Sequence, residues 1–245
     1  MTLSDQLIRD AFSNGWHTCV YQPKVEPSFE KIQGVEALFR LDIPGQGIYL
    51  PSRFIERAFE LGYEEAIFFI VLEQSLKDVK GIGANIGLAI NISHQVLVNP
   101  ENIERVRELL WEYSFPASRL TFELSESEKL DESVAPQIDA FQQMGIKISI
   151  DDFGAGYSNF NKVLSLNIDE IKFDRSIINN NEMRSAALIK NILQFCRDFG
   201  ITSVAEGVED SDTRIYIRNL GFDTYQGFHF SKPVRIHELR QIAAW

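Results

Sequence analysis

Seven times along this chain a short apolar run stops abruptly at a carboxylate, an amide or a lysine. Residues 32–35 lead to Glu36, 87–90 to Asn91, 120–122 to Glu123, and 147–150 to the pair Asp151-Asp152. Residues 168–171 lead to Lys172 and then Asp174, 201–205 to Glu206, and 222–225 to Gln226. Runs of this length, rich in Ile, Val and Phe, read as strands. Polar groups at the exits of successive strands are how an α/β fold presents a site. The sharpest case is Lys147-Ile148-Ser149-Ile150-Asp151-Asp152-Phe153-Gly154. Two adjacent acids repel each other unless cations lie between them. Taken alone, the segment reads equally as a solvated Asp-Asp turn.

Helical patterns separate the strands. They cover residues 3–12, 54–61, 64–79, 134–144 and 181–199, and another opens at Asn99-Pro100 and continues through Leu110. Gly62, Gly145 and Gly200 follow three of them as left-handed stops. Repeated β-then-α order predicts parallel strands with crossover helices. The strand count is about eight, near 18–24, 32–39, 87–92, 120–124, 147–151, 170–173, 202–205 and 224–225. The predicted fold is an α/β barrel of the (β/α)8 TIM type, which gathers the seven polar endings around one mouth. A single domain is expected over 1–245, with a helix at 3–12 and the barrel at about 18–243. An open doubly wound sheet is the alternative; it scatters the endings along a line, and no G-x-G-x-x-G follows the first strand.

Composition narrows the function. With 44% hydrophobic residues the chain buries a sizeable core, yet no apolar stretch approaches the ~20 residues of a membrane span. The start, Met1-Thr2-Leu3-Ser4-Asp5-Gln6, lacks the pattern of a signal peptide. Cys19 and Cys196 are far apart and read as buried reduced thiols, so a cytoplasmic location is expected. A net charge of −11 argues against a basic face that grips long nucleic acid. It leaves room for a small anionic ligand, because cations on a carboxylate cluster invert the local field.

Glu36, Asn91, Glu123, Asp151, Asp152 and Glu206 form an all-oxygen donor set, which suits Mg²⁺ or Mn²⁺ and not structural zinc. The set exceeds what one ion needs, so two ions sharing Asp151 is the economical arrangement. Two such ions activate water and stabilise a leaving oxygen in phosphoester cleavage. Lys172, with an ordinary pKa of about 10.4, would position the water and neutralise charge, or close the acidic rim by ion pairing. His17, His94, His229 and His237 show no paired ligand spacing.

These segments together resemble the EAL-domain cyclic-di-GMP phosphodiesterases. The resemblance rests on Tyr21-Gln22-Pro23, Val35-Glu36-Ala37-Leu38-Phe39-Arg40, Asn91-Ile92-Ser93 and Glu123-Leu124-Ser125-Glu126-Ser127. It continues through Asp151-Asp152-Phe153-Gly154-Ala155-Gly156-Tyr157-Ser158, Ile171-Lys172-Phe173-Asp174-Arg175-Ser176, Ala205-Glu206-Gly207-Val208-Glu209 and Gln226-Gly227-Phe228. Ser125, Ala155 and Phe39-Arg40-Leu41 depart mildly from the family pattern, and none removes a ligand.

The resemblance implies a barrel whose first strand runs antiparallel to the rest, and hydrolysis of cyclic di-GMP to linear pGpG with two metal ions. Glu36, Asn91, Glu123 and Asp151 match the ligands of one ion; Asp151, Asp152 and Glu206 match those of the other. Lys172, Glu36, Asp151 and Glu206 are the catalytic candidates. Gln22, Leu38, Arg40, Asp174, Gln226 and Pro233 match substrate contacts. Arg40 also makes independent sense as a bidentate phosphate clamp. Glu126, Phe153, Gly154, Gly156, Tyr157, Ser158 and Glu209 match a regulatory loop and its anchors. A homodimer is a further implication, as are regulatory domains or proteins outside this chain. The alternative is a catalytically silent cyclic-di-GMP receptor or protein-interaction barrel, a role in which such proteins lose metal ligands or the lysine.

Overall fold

In a computed structural model, residues 2–28, 31–82, 85–126, 134–155, 166–180 and 183–242 are described. The strands are β1 (His17–Val25), β2 (Ile32–Ile43), β3 (Gly47–Tyr49), β4 (Gly87–Asn91), β5 (Leu120–Ser125), β6 (Lys147–Phe153), β7 (Glu170–Phe173), β8 (Thr202–Ala205) and β9 (Thr224–Gln226). Neighbours follow the order β1-β9-β8-β7-β6-β5-β4-β2-β3, and β1 also pairs with β2. That last pairing closes the sheet and rules out the open alternative. Strands β2 and β4 through β9 pair in parallel, whereas β1 is antiparallel to both its neighbours. The barrel and its reversed first strand are thus as expected.

Strand alternation sorts the side chains into two populations. Val35, Ala37, Phe39 and Leu41 of β2, Leu88 and Ile90 of β4, Phe122 and Leu124 of β5, and Ile148 and Ile150 of β6 join one buried apolar cluster. So do Ile171 and Phe173 of β7 and Tyr225 of β9. Helices cover this face: α1 (Asp5–Ser13), α2 (Ile55–Glu60), α3 (Glu64–Val79), α4 (His94–Leu97), α5 (Glu101–Glu112), α6 (Ala135–Gln143), α7 (Arg175–Ile178), α8 (Met183–Phe199), α9 (Ser211–Leu220) and α10 (Ile236–Ile242). Phe122 of β5 meets Phe68 of α3 and Phe141 of α6 edge to face, with centroids 5.5 and 5.0 Å apart. Such pairs add about 0.5–1.5 kcal/mol each beyond their buried area. The alternate positions carry Glu36, Asn91, Glu123, Ser149, Asp151, Glu170, Lys172 and Gln226. The interior of this barrel is therefore charged where many barrels hold Val, Ile and Leu.

Three expectations need correction. The strand expected over 32–39 runs on to Ile43, which leaves Glu36 well inside it, level with Ala89 of β4. A hairpin adds β3 to the far end of β2, a strand too short to read from its Gly-Ile-Tyr sequence. Helices α4, α7, α9 and α10 went unpredicted. For α9 the signals were present: Asp210 accepts from Thr213 N at 2.7 Å, and Gly221 ends the helix in the left-handed region at φ 83°. Residues 181–182, placed in the helix ending at Phe199, and 243, placed in the barrel, lie outside the described residues. Among the described residues no helix is long and apolar enough to cross a membrane. Cys19 and Cys196 are buried free thiols, and burial pushes Cys196 up to about 11.

Candidate active site

At the C-terminal ends of the parallel strands, Lys172 of β7 stands at the centre of an acidic cluster. Its Nζ lies 2.9 Å from Asp151 Oδ1, 2.9 Å from Glu206 Oε1, 3.0 Å from Glu123 Oε2 and 3.5 Å from Glu36 Oε2. The lysine side chain is 1% exposed. Each partner comes from a different strand or strand exit, so the barrel closure itself assembles the group. Two triplets have carboxylate oxygens mutually within 4.8 Å: Glu36, Glu123 and Asp151, and Asp151, Asp152 and Glu206. Asp151 belongs to both.

Asp151 and Asp152 reach one cluster through a local distortion. The pairing of β6 with β7 shifts register between Ile150 and Phe153. Asp152 takes φ 57°, a conformation non-glycine residues rarely adopt. This bulge turns a side chain that would otherwise face the far side of the strand. Asp152 N donates to Asp151 Oδ1 at 2.9 Å, fixing the pair.

The electrostatics follow from burial opposed by Lys172. Burial, resisted by Lys172, pushes the Glu36 carboxyl up to about 7. The same opposition, with repulsion from Asp151, takes Glu206 to about 8. Burial also acts on Glu123, but Lys172 and Lys24 outweigh it and hold this carboxyl at about 2. Burial and the neighbouring Asp151 raise Asp152. Lys172 resists the pull of burial because Asp151, Glu123, Glu206 and Glu36 together hold it well above the ordinary lysine range. It is an ammonium at any working pH.

The donor chemistry fits hard divalent cations. Five carboxylates in the two triplets face one central ammonium, an excess of negative charge that oxygen-seeking cations would balance. Asn91 Nδ2 donates to Glu36 Oε1 at 3.1 Å, which leaves its carbonyl oxygen for a ligand. Gln226 Nε2 donates to Glu36 Oε2 at 2.6 Å, while its buried Oε1 has no hydrogen-bond partner among the described residues. A buried acceptor without a donor costs free energy unless something binds there.

A cleft of about 270 Å³ opens above the cluster, with Gln22, Leu38, Asp174, Gln226 and Phe228 in its walls beside Glu36, Asp151, Asp152, Lys172 and Glu206. Four of the six substrate candidates therefore share one cleft. Asp174 already spends Oδ1 on capping Ser176 N at 2.8 Å. Arg40 follows Glu36 and Leu38 on the same face of β2, but it stands outside the cleft wall and donates to Phe39 O at 2.8 Å. Pro233 lines a different, open hollow with Val20 and Ile48. Glu126 accepts from Gly154 N at 2.9 Å, and Phe153 is buried at the end of β6. Glu209 pairs with Arg175 at 3.1 Å on the cleft rim. Gly156, Tyr157 and Ser158 lie outside the described residues.

The sequence reading missed Lys24, Ser149 and Glu170. Lys24 Nζ meets Glu123 Oε1 at 2.7 Å and Glu170 Oε1 at 2.8 Å. A signal existed: Lys24 is two residues from Gln22, and positions two apart on a strand share a face.

Comparison with known proteins places the chain in a family and matches its fold. The family model described as EAL domain matches residues 5–233. The cyclic di-GMP phosphodiesterase RocR of Pseudomonas aeruginosa is 29% identical over 228 residues, covering 90% of this chain and 58% of RocR. The oxygen sensor protein DosP of Escherichia coli is 30% identical over 240 residues, covering 95% of this chain and 30% of DosP. The chain thus spans about a third to three fifths of these curated relatives' lengths. Among solved structures, the EAL domain protein from Listeria monocytogenes EGD-e superimposes with a TM-score of 0.89 at 28% identity, over 100% of this chain and 99% of that one. The PaMucR phosphodiesterase in complex with c-di-GMP gives 0.86 at 30% identity, over 96% of this chain and 98% of that one.

Proposed function

This chain belongs to the EAL domain family, and from that premise we propose that it hydrolyses cyclic di-GMP to linear pGpG. The observation that carries the reading is the convergence of Glu36, Glu123, Asp151, Asp152 and Glu206 around Lys172, with Asp151 common to both triplets. Glu36, Asn91, Glu123 and Asp151 would hold one divalent cation, and Asp151, Asp152 and Glu206 a second, each Mg²⁺ or Mn²⁺. Bound there, such ions supply a water of lowered pKa and stabilise the charge on the leaving oxygen.

The chain's own residues do the rest. Lys172 has only N–H donors, so it orients the lone pair of an attacking water and cannot accept that water's proton. Its four carboxylate contacts keep the ammonium at one point in space. Gln22, Leu38, Asp174 and Gln226 line the cleft and would orient the nucleotide; Asp174 Oδ2 and Gln226 Oε1 are the acceptors suited to guanine N–H groups. Arg40 and Pro233 would contact substrate only where it extends beyond the cleft. Glu126 would couple Gly154 to the site, because its carboxylate accepts from Gly154 N while its own N–H donates to Asp151 O at 2.9 Å. A homodimer and a cytoplasmic location accompany this reading. The complete donor set with Lys172 argues against the silent-receptor alternative.

The test is incubation with cyclic di-GMP and Mn²⁺ followed by chromatography. Accumulation of pGpG is expected, and its absence at saturating metal and nucleotide rejects the proposal.

A further inference from the structure

Below the cleft, the barrel axis carries a second ammonium. Lys24 Nζ lies 2.7 Å from Glu123 Oε1, and its side chain is 7% exposed. The same nitrogen meets Glu170 Oε1 at 2.8 Å, an oxygen that also accepts from Ser149 Oγ at 3.0 Å. On the other side of Glu123, Oε2 accepts from Lys172 at 3.0 Å. Glu170, Lys24, Glu123 and Lys172 thus alternate in sign along the axis.

The reversed direction of β1 makes this possible. Lys24 pairs with Gly34 near the start of β2, which carries it toward the N-terminal end of that strand. Gly34 and Gly87 stand level there and contribute no side chain. A second cavity of about 240 Å³ opens at this end, with Lys24, Glu170, Gly34 and Gly87 in its wall. Lys24 and Glu123 therefore form the floor between that cavity and the catalytic cleft.

We propose that Lys24 is a positioning residue for Glu123. Glu123 is fully buried, so its carboxylate must keep both oxygens satisfied to remain there. Lys24 commits Oε1 to the floor. Oε2 is then the oxygen turned toward Lys172, Asp151 and Glu36, where a cation would bind. Without Lys24 the carboxylate is free to rotate, and its second oxygen faces a cavity. The inference rests on the reading of Glu123 as a cation ligand.

The test is Mn²⁺ affinity of the full chain without nucleotide, read from the electron paramagnetic resonance of free Mn²⁺. Replacing a partner that orients a metal ligand typically costs ~10–100-fold in affinity. Lys24→Met is expected to show a loss of that size, and Lys24→Gln, which keeps a neutral donor, a smaller one of at least about threefold. In a Glu123→Gln background neither change should weaken binding further, which a general structural role for Lys24 does not predict. Unchanged affinity in Lys24→Met, or an equal loss in both backgrounds, overturns the proposal. If Lys24→Met does not fold, Lys24→Gln is judged by the same two comparisons. Failure of the unmodified chain to bind Mn²⁺ removes the cation-site reading itself.

Discussion

Asp151 and Asp152, neighbours that a regular strand turns to opposite faces, converge on one cluster because Asp152 adopts φ 57° at a β-bulge. The distortion makes Asp151 the member common to both carboxylate triplets and Asp152 a member of one. Backbone strain of this kind costs on the order of 1–3 kcal/mol and persists where the surroundings enforce it.

Asn tolerates the left-handed region almost as well as Asp, whereas a β-branched residue does not. Asp152→Asn should therefore unfold at nearly the same urea midpoint as the unmodified protein while binding Mn²⁺ less tightly. Asp152→Val should lose about 1–3 kcal/mol. Equal stability of the Asn and Val variants is the outcome that contradicts a strained Asp152.

Lys172 pairs with four carboxylates at once. Removing one side of a buried charge pair leaves the other uncompensated, at about 3–5 kcal/mol. Lys172→Met should melt well below the unmodified protein in EDTA at pH 8, and added Mn²⁺ should restore much of the difference. Hydrolysis should stay at least about 10²-fold down even with metal, the scale of a misplaced nucleophile. A variant that melts like the parent in EDTA contradicts the central role of the ammonium.

The metal-free protein should lose stability as pH rises from about 5 to 8. Glu36 and Glu206 titrate near 7 and 8 in the folded state, against an ordinary 4.5. Across that window the folded chain binds more protons than the unfolded chain, so rising pH favours unfolding. Glu123, at about 2, works in the opposite sense, but its contribution is complete above 4.5 and drops out only in acid. Metal binding requires the deprotonated ligands, so Mn²⁺ should stabilise more at pH 8 than at pH 6. Melting curves at both pH values with and without Mn²⁺ measure this, and a metal-free profile that rises with pH runs against it.

Much of the barrel and its rim was legible because period-2 alternation and a polar stop mark each strand end. Asp151, Lys172, Glu206 and Gln226 all follow that rule, and closure of the sheet then brings them together. Glu36 fits that rule only loosely: the run 32–35 leads to it, but its strand continues to Ile43. What escaped depends on partners distant in sequence. Lys24 reads as a surface lysine until the reversal of β1 places it between Glu123 and Glu170, 99 and 146 residues away. Likewise β3 exists only because β2 offers it a pairing edge. The bulge at Asp152 was illegible too, since Asp-Asp-Phe-Gly is compatible with an ordinary turn.

Gly154 tests the link between the site and the segment after β6. It takes φ +94°, its N–H donates to Glu126, and a Cβ there would lie 3.1 Å from Ile177. Gly154→Ala is expected to destabilise by about 1–3 kcal/mol through the backbone alone. Its denaturation midpoint should fall, whereas Ala at Gly47, at φ +88° with nothing within 4 Å, should cost less. Equal losses at the two positions would show that the Ile177 contact is slack.

The most direct test counts Mn²⁺ ions by calorimetry and pGpG formed from cyclic di-GMP in parallel, for the unmodified chain and for Asp151→Asn. The shared ligand predicts two ions and steady turnover in the first, with both metal binding and hydrolysis collapsing in the second. Near-parent hydrolysis by Asp151→Asn would contradict the account.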